Sequence, residues 1–164
     1  LFRSVLDMGW AGQLKIHGHR AQFHVSADPA DEVLAYNRQG VFHKKEVPDD
    51  VAAELRRLFK PDTGWTVVDA EWLKPENKVY IFDLLKKDGV VLKNKTYQER
   101  YELLPRLYIS PIVETLPLLK SIDKCVQALE KDDPIIEGLV FKALDTPGFN
   151  DTSIVRCRKV SPFA

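Results

Sequence analysis

The spacing of hydrophobic positions along this chain changes several times, which is typical of a mixed α+β domain. Over residues 13–26 the pattern predicts a strand, a bend that contains Gly18 and a second strand. A short strand is expected over residues 33–36, with turn signals on both sides of it. The first part of the chain is therefore predicted to be a run of hairpins.

Helical spacing is found in three later segments. A helix is predicted to begin at residues 48–50 and to end at Lys60-Pro61. Thr96 and Glu99 have the spacing of a capping box, which opens a second helix that ends near Pro105. A third helix is predicted over residues 118–131, and its inward face would be made by Leu119, Ile122, Val126 and Leu129.

Between and after these helices the sequence predicts strands. Two strong ones cover residues 65–72 and 79–85, and a turn separates them. Others are expected over residues 112–116, 137–144 and 153–160. Because most strands are joined by short turns, the sheets should be largely antiparallel, with helices packed outside.

Composition and charge narrow the class of protein. With 164 residues, 45% of them hydrophobic, the chain can form one core, and a disordered or collagen-like chain is excluded. Lys and Arg number 24, as do Asp and Glu, so binding of a polyanion would depend on a local basic patch. We find no apolar run that would span a bilayer or act as a signal peptide, so no membrane partner is expected.

The two cysteines bear on the cellular compartment. Cys125 and Cys157 form no Cys-x-x-Cys pair and no zinc-type spacing with the four histidines. This pattern predicts a reducing compartment, the cytoplasm or the nucleus, and leaves a viral or phage source open. A monomer is expected.

The first candidate motif along the chain contains Lys15. Residues 9–15 are rich in glycine but lack the Gly-Lys-Ser/Thr ending of a Walker loop. Residues 15–20 instead read KIHGHR, a lysine on a strand that enters a glycine bend. Further segments with charged and aromatic residues follow in order: YNRQG at 36–40, VVDAEW at 67–72, YIFDLL at 80–85, EGLVFK at 137–142 and RCR at 156–158.

In this order and spacing, the segments resemble the motifs of the covalent nucleotidyltransferase superfamily, which contains ATP-dependent DNA ligases, RNA ligases and mRNA capping enzymes. The resemblance covers nearly the whole chain and points to the adenylation domain of a DNA ligase, with an RNA ligase a close second. It implies an α+β, ATP-grasp-like fold, in which two largely antiparallel sheets with flanking helices form a nucleotide cleft. The adenylation domain would occupy residues 1–164, and the OB-fold domain that such ligases usually carry would be absent from this chain.

The resemblance also implies a reaction. Lys15 would attack the α-phosphate of ATP, form lysyl-AMP and expel pyrophosphate, with Mg²⁺ as the metal cofactor. AMP would then pass to the 5′-phosphate of nicked DNA or RNA, and a 3′-hydroxyl would displace it. An amine attacks only in its neutral form, which nearby cations and partial burial favour.

Roles for other residues come from the same resemblance. Arg20 and Arg38 match arginines that contact the nucleotide, and Phe82 matches the aromatic residue that stacks on the purine. Glu71 and Glu137 match paired acids near the ribose and the metal, and carboxylate oxygens are the ligands that Mg²⁺ prefers.

The last motif departs from the family pattern. Arg156 and Arg158 replace the two lysines of a Lys-x-Lys motif and, with Lys15, complete the expected catalytic set. A spacing of two places both on one face of a strand, but an arginine is wider than a lysine, so slower transfer is expected. Lys142 and Lys159 are expected to share the phosphate contacts, and Gln13 to recognise the adenine edge.

Because of His17, the motifs do not decide between DNA and RNA as the substrate. Most members have Asp or Asn at this position, whereas the Lys-x-His-Gly form resembles a branch of RNA ligases. The segment over residues 69–85 and the QER sequence at 98–100 are more similar to DNA ligases. Besides an RNA ligase, the alternatives are a capping-type guanylyltransferase and a module that binds nucleotides without transferring them. A metal site at His17 and His19 is not expected, because no third histidine or cysteine lies nearby in the sequence.

Overall fold

The computed structural model describes the backbone of residues 2–105, 110–149 and 155–158, and the side chains of residues 4–105 and 110–149. In chain order, its helices and strands are α1 (Phe2–Asp7), β1 (Trp10–Ile16), β2 (His19–Ser26), β3 (Leu34–Tyr36), α2 (Asp49–Phe59), β4 (Trp65–Leu73), β5 (Lys78–Lys87), β6 (Val90–Val91), α3 (Tyr97–Glu102), β7 (Val113–Thr115), α4 (Ile122–Glu130), β8 (Ile136–Ala143) and β9 (Val155–Arg158). Every helix in this part of the chain falls short of what a bilayer-spanning helix requires.

The described strands form two sheets, as expected for an α+β domain. One has the strand order β1-β8-β9, and the other has the order β3-β2-β4-β5-β6, with β7 added beside β5. The pairs are antiparallel, apart from β5 and β7, which run parallel. The prediction of largely antiparallel sheets is therefore confirmed.

The predicted run of hairpins is wrong at its first step. β1 pairs with β8 and β2 pairs with β4, so the strands on the two sides of Gly18 belong to different sheets. The crossing needs a glycine, because a Cβ atom at Gly18 would lie 2.8 Å from the carbonyl oxygen of Trp72. As a result, Lys15 and Arg20 lie on separate sheets, although they are five residues apart.

Each sheet has its own hydrophobic core. Helix α2 buries Val51, Leu55 and Phe59 against the six-stranded sheet, where Phe23 and Trp72 are fully buried. The smaller sheet packs with α1 and α4 around Leu139 and Phe141, among others. A third cluster, which includes Ile16 from β1 and Tyr80 from β5, joins the two sheets and fixes the cleft between them.

The predicted third helix needs a correction. Helix α4 begins only at Ile122, because the Ser121 side chain caps it. Leu119 lies before the helix, where it exchanges backbone hydrogen bonds with Gly12. Val126, expected to face inward, is 37% exposed, whereas Cys125 and Ala128 are buried. The inward face of α4 is therefore centred on Cys125 and Ala128 and does not include Val126.

Candidate functional site

A cavity of about 560 Å³ is lined by residues of both sheets. Side chains come from β1 and β8 of one sheet and from β2, β4 and β5 of the other. Eight of the predicted site residues line it: Gln13, Lys15, Arg20, Arg38, Glu71, Phe82, Glu137 and Lys142. Residues that are distant in sequence therefore meet at one cleft.

The predicted arginines of the last motif are described only by their backbone. β9 pairs with β8, where Arg156 is opposite Val140 and Arg158 is opposite Gly138. Their side chains, and all of Lys159, lie outside the described residues. The pairing brings the backbone of this motif beside the strand that carries Glu137 and Lys142.

Glu137 connects the lysine motif to the opposite strand. One of its carboxylate oxygens is in an ion pair with Lys15 Nζ, and the other is in contact with Nδ1 of His17. The hydrogen bond from Lys15, supported by the one from His17, lowers the pKa of Glu137 despite the partial burial of its side chain. Glu137 is therefore ionised at neutral pH and holds both residues of the lysine motif.

Glu71 lies on the other sheet and has a different environment. The backbone N–H of Gly18 donates a hydrogen bond to its Oε2 atom at 3.0 Å. Burial raises the pKa of Glu71, although this hydrogen bond and the positive charges of Arg20 and Lys15 oppose the shift. The charge of Glu137 raises it further, so the two predicted metal ligands are near enough to interact electrostatically.

Arg20 has a buried partner that sequence analysis did not assign. Its guanidinium forms a two-point ion pair with Asp69, with Nε 2.6 Å from Oδ1, and Asp69 is only 2% exposed. The signal was present in the sequence, because Asp69 is two residues before Glu71 on the same face of β4. Asp69 therefore fixes the orientation of Arg20 at the cavity wall.

Two cations contact the predicted purine-stacking ring. Lys142 Nζ lies 4.2 Å from the centroid of the Phe82 ring, and the guanidinium carbon of Arg20 lies 5.0 Å from it. Both distances are within the range of cation–π interactions. The aromatic residue and the cations expected to bind phosphates thus form a single cluster.

Gln13 is part of a buried network. Its side chain, 2% exposed, accepts a hydrogen bond from Lys142 Nζ at 2.6 Å and donates to the carbonyl oxygen of Leu116 at 3.3 Å. It also contacts the hydroxyl group of Tyr97, which in turn donates to the backbone of Phe82. Burial raises the pKa of Tyr97 well above its usual value, so the hydroxyl stays protonated. In the structure, Gln13 positions Lys142.

A second buried ion pair supports the cavity wall formed by residues 146–149. Arg100 is 3% exposed and makes two hydrogen bonds with Asp83, at 3.0 and 3.2 Å. It also donates to the carbonyl oxygens of Lys95 at 2.8 Å and Gly148 at 3.1 Å. Burial raises the pKa of Asp83, and Arg100 opposes this shift. Sequence analysis used Arg100 only for the family resemblance, because its partners are distant in sequence.

The chain is similar in structure to several solved protein structures. No family model and no curated protein sequence matches the chain. The ligase domain of LigD from M. tuberculosis superposes with a TM-score of 0.54 and 20% identity, covering 92% of this chain and 52% of that one. Mycobacterial DNA ligase D complexed with ATP and MES gives 0.56 and 21%, with the same coverage. Pmar-Lig_PreS3 gives 0.60 and 16%, covering 93% of this chain and 43% of that one.

These similarities define the fold. The chain has the nucleotidyltransferase fold found in the ligase domains of DNA ligases, as its motifs led us to expect. It spans about half the length of the chains to which it is similar.

Proposed function

We propose that this protein is an ATP-dependent polynucleotide ligase in which the described domain carries out adenylation, with DNA favoured over RNA as the substrate. The observation that carries the proposal is the meeting of Lys15, Glu71 and Glu137 in one cavity between the two sheets. The motif resemblance and the fold support the same assignment. A structural neighbour that is complexed with ATP supports ATP as the nucleotide.

The first step would be covalent transfer of AMP to Lys15. A bond forms between Lys15 Nζ and the α-phosphorus of ATP, the bond from that phosphorus to the bridging oxygen breaks, and pyrophosphate leaves with the electron pair. Before the attack, the Lys15 ammonium group must lose one proton to solvent and separate from Glu137, with which it is now paired. The nitrogen loses a second proton to solvent once it is bonded to phosphorus. Because the reaction is an in-line displacement at phosphorus, positioning and charge neutralisation provide most of the acceleration.

The cations of the cavity would receive the triphosphate. Arg20 is held by Asp69, and Lys142 is held by Gln13, so both charges are positioned before the nucleotide binds. Such preorganised charges cost little reorganisation when negative charge develops during the reaction. The proposed later steps, AMP transfer to a 5′-phosphate and displacement by a 3′-hydroxyl, would use the same cavity.

The acidic residues fit Mg²⁺ only together with the nucleotide. In the described part of the chain, no group of three or more acidic, histidine or cysteine side chains could hold a metal ion. Mg²⁺ is usually bound by one or two carboxylates, with water and substrate phosphates completing the shell, and Glu71 and Glu137 supply such a pair. When bound, the metal ion would neutralise phosphate charge.

The test is covalent labelling. We expect the protein, incubated with Mg²⁺ and ATP labelled at the α-phosphate, to retain label through an acid-labile bond after denaturation. Lys15→Ala should lose the label, whereas Lys78→Ala should keep it. Lys78 is a matched control because it too is a strand lysine paired with a glutamate, Glu114, at 3.1 Å.

Three other results would change the assignment. Undiminished labelling of folded Lys15→Ala would eliminate it, and labelling by GTP in place of ATP would favour a capping-type guanylyltransferase. Saturable ATP binding by the unmutated protein without a covalent adduct would favour a module that binds nucleotides and does not transfer them.

A further inference from the structure

Cationic side chains surround the buried indole of Trp72, next to the cavity. Lys74 Nζ lies 5.3 Å and Lys45 Nζ 5.8 Å from its ring, and the ring centroid of His43 lies 5.4 Å away. His19 is directly opposite Trp72 in the pairing of β2 with β4. We call this group, with the exposed Lys44 next to His43, the Trp72 cation cluster: it has three lysines, Lys44, Lys45 and Lys74, and two imidazole side chains, His19 and His43.

Among the described residues, no ion pair within 4 Å involves any member of this cluster, although the acidic residues Glu46 and Glu76 lie near its lysines in the sequence. Lys45 Nζ instead donates a hydrogen bond to the backbone oxygen of Lys74, at 2.9 Å. Burial lowers the pKa of His43, and the charges of Lys74 and His19 lower it further, although a hydrogen bond with the backbone of Arg20 opposes the shift. The charge of the cluster at neutral pH is therefore that of its lysines.

The cluster begins at the rim of the cavity. Gly18 lines the cavity and is followed by His19. His43 Nε2 is 3.0 Å from the backbone oxygen of Arg20, whose side chain lines the cavity. A chain of phosphates that leaves the cavity at Gly18 would therefore meet the cluster first.

We propose that the Trp72 cation cluster binds the sugar-phosphate backbone of the polynucleotide whose 5′-phosphate enters the cavity. The inference rests on the proposed function, because that reaction requires the 5′-phosphate end of a polynucleotide in the cavity. The cluster would raise the affinity for backbone phosphates and would carry no sequence information, since ammonium groups bind phosphates as point charges.

An acidic protein surface is the competing partner. Two observations favour the nucleic acid. The first is that the cluster is continuous with the cavity. The second is that Lys45 and Lys74 are held in place, because both contact the indole of Trp72 and Lys45 Nζ donates a hydrogen bond to the backbone of Lys74. Both Nζ atoms are within the distance of a cation–π interaction with the indole ring, which restricts their positions. Such fixed, neighbouring charges suit the regular charge of a phosphate backbone.

The test uses variants that remove the charges of Lys45 and Lys74 but keep side chains of similar shape. The double variant Lys45→Met/Lys74→Met keeps unbranched side chains over Trp72 and removes two charges. Binding of a fluorescent nicked duplex is measured against salt concentration. We expect the slope of log affinity against log salt to become less negative by about 0.9 for each phosphate that is no longer neutralised, about 1.8 for the pair. Lys45→Arg/Lys74→Arg should restore the slope.

The matched control is Lys120→Met/Lys124→Met, two exposed lysines at and just before α4, on the other sheet. Its slope should equal that of the unmutated protein. An unchanged slope in a Lys45→Met/Lys74→Met variant with an unchanged melting temperature would overturn the inference. So would a loss of binding to polyglutamate with no loss of binding to the duplex, which would point to an acidic protein.

Failure of the inference can be told apart from failure of the proposed function. Self-adenylation by ATP depends on the cavity, so Lys45→Met/Lys74→Met should label as strongly as the unmutated protein. If the unmutated protein forms no adduct, the proposed function fails by that measurement alone, and the inference, which rests on it, falls too.

Discussion

Two cationic side chains of the cavity are in ion pairs with carboxylates. Lys15 is paired with Glu137, and Arg20 with Asp69, before any nucleotide is bound. Glu71 differs from these pairs, because burial is the largest influence on its pKa and the backbone N–H of Gly18 is its hydrogen-bond donor. This carboxylate is therefore ionised at some cost to the ligand-free protein, as is common for groups kept for function.

The variant Glu71→Gln tests whether the ionised carboxylate of Glu71 lowers the stability of the folded protein. Because the pKa of Glu71 is raised, its ionised form is disfavoured in the folded state, and removing the charge should stabilise the protein above that pKa. The amide oxygen can still accept the Gly18 hydrogen bond. Since a half-buried carboxylate is screened by solvent, we expect a gain below about 1 kcal/mol, or at most roughly 2–4 °C in melting temperature.

The gain should disappear in acid. As the pH falls from the raised pKa of Glu71 in the folded state to the ordinary pKa of a glutamate in the unfolded chain, the difference should shrink, and below both values the unmutated protein and the variant should melt alike. Adenylation at neutral pH should fall in the variant at the same time, because it lacks one of the two proposed metal ligands. A variant that is less stable than the unmutated protein at neutral pH would contradict this account of Glu71.

At the scale of secondary structure, the side chains of the cavity meet because the two sheets are linked at two places. The bend at Gly18 passes from the small sheet to the large one, and its backbone N–H meets Glu71 there. On the other side of the cavity, Arg100 in α3 joins β5 to the segment after β8 through Asp83 and Gly148. Its buried guanidinium therefore holds part of the cavity wall in place.

Arg100→Ala should be strongly destabilising. It would leave the buried Asp83 carboxylate without its ion-pair partner, a change that typically costs about 3–5 kcal/mol. We expect a large fall in melting temperature. Replacing both partners, as in Arg100→Met/Asp83→Leu, should recover much of the stability, because no charge is then left buried.

The double variant also tests the role of the wall. The carbonyl oxygens of Lys95 and Gly148 would still lack their donor, so the segment should be less well held. We therefore expect KM for ATP in the labelling reaction to rise more than kcat falls. If stability is recovered and KM is unchanged, Arg100 stabilises the fold without positioning the wall.

In the whole molecule, the cavity is shared by two sheets. Each supplies charged groups, and a third hydrophobic cluster holds the sheets together. A nucleotide that contacts both sheets should therefore stabilise the entire domain, since it binds only when the two are assembled.

ATP should raise the melting temperature in a dose-dependent manner. Binding to the folded state alone adds about 2.7 kcal/mol at a ligand concentration of 100 Kd, roughly 5–11 °C for a domain of this size. Lys15→Ala should show a comparable shift, because it loses transfer and keeps the other nucleotide contacts. An absence of any shift with ATP, in a folded protein, would contradict nucleotide binding in this cavity.

Local patterns in the sequence determined many of the elements. The capping box at Thr96, the hairpin of β4 and β5, and helix α2 are present as predicted, because capping, turn chemistry and helical spacing act over a few residues. The order of the motifs determined the fold, which the structural neighbours confirm.

Only the tertiary structure decided which sheet each strand joins and which residues are paired. The two strands beside Gly18 separate because each has a partner far along the chain, and no local pattern contains that information. The partners of Arg20, Gln13 and Arg100 were missed for a related reason. Each ion pair or hydrogen bond depends on which faces meet across the cleft, whereas sequence spacing specifies only the face of a single element.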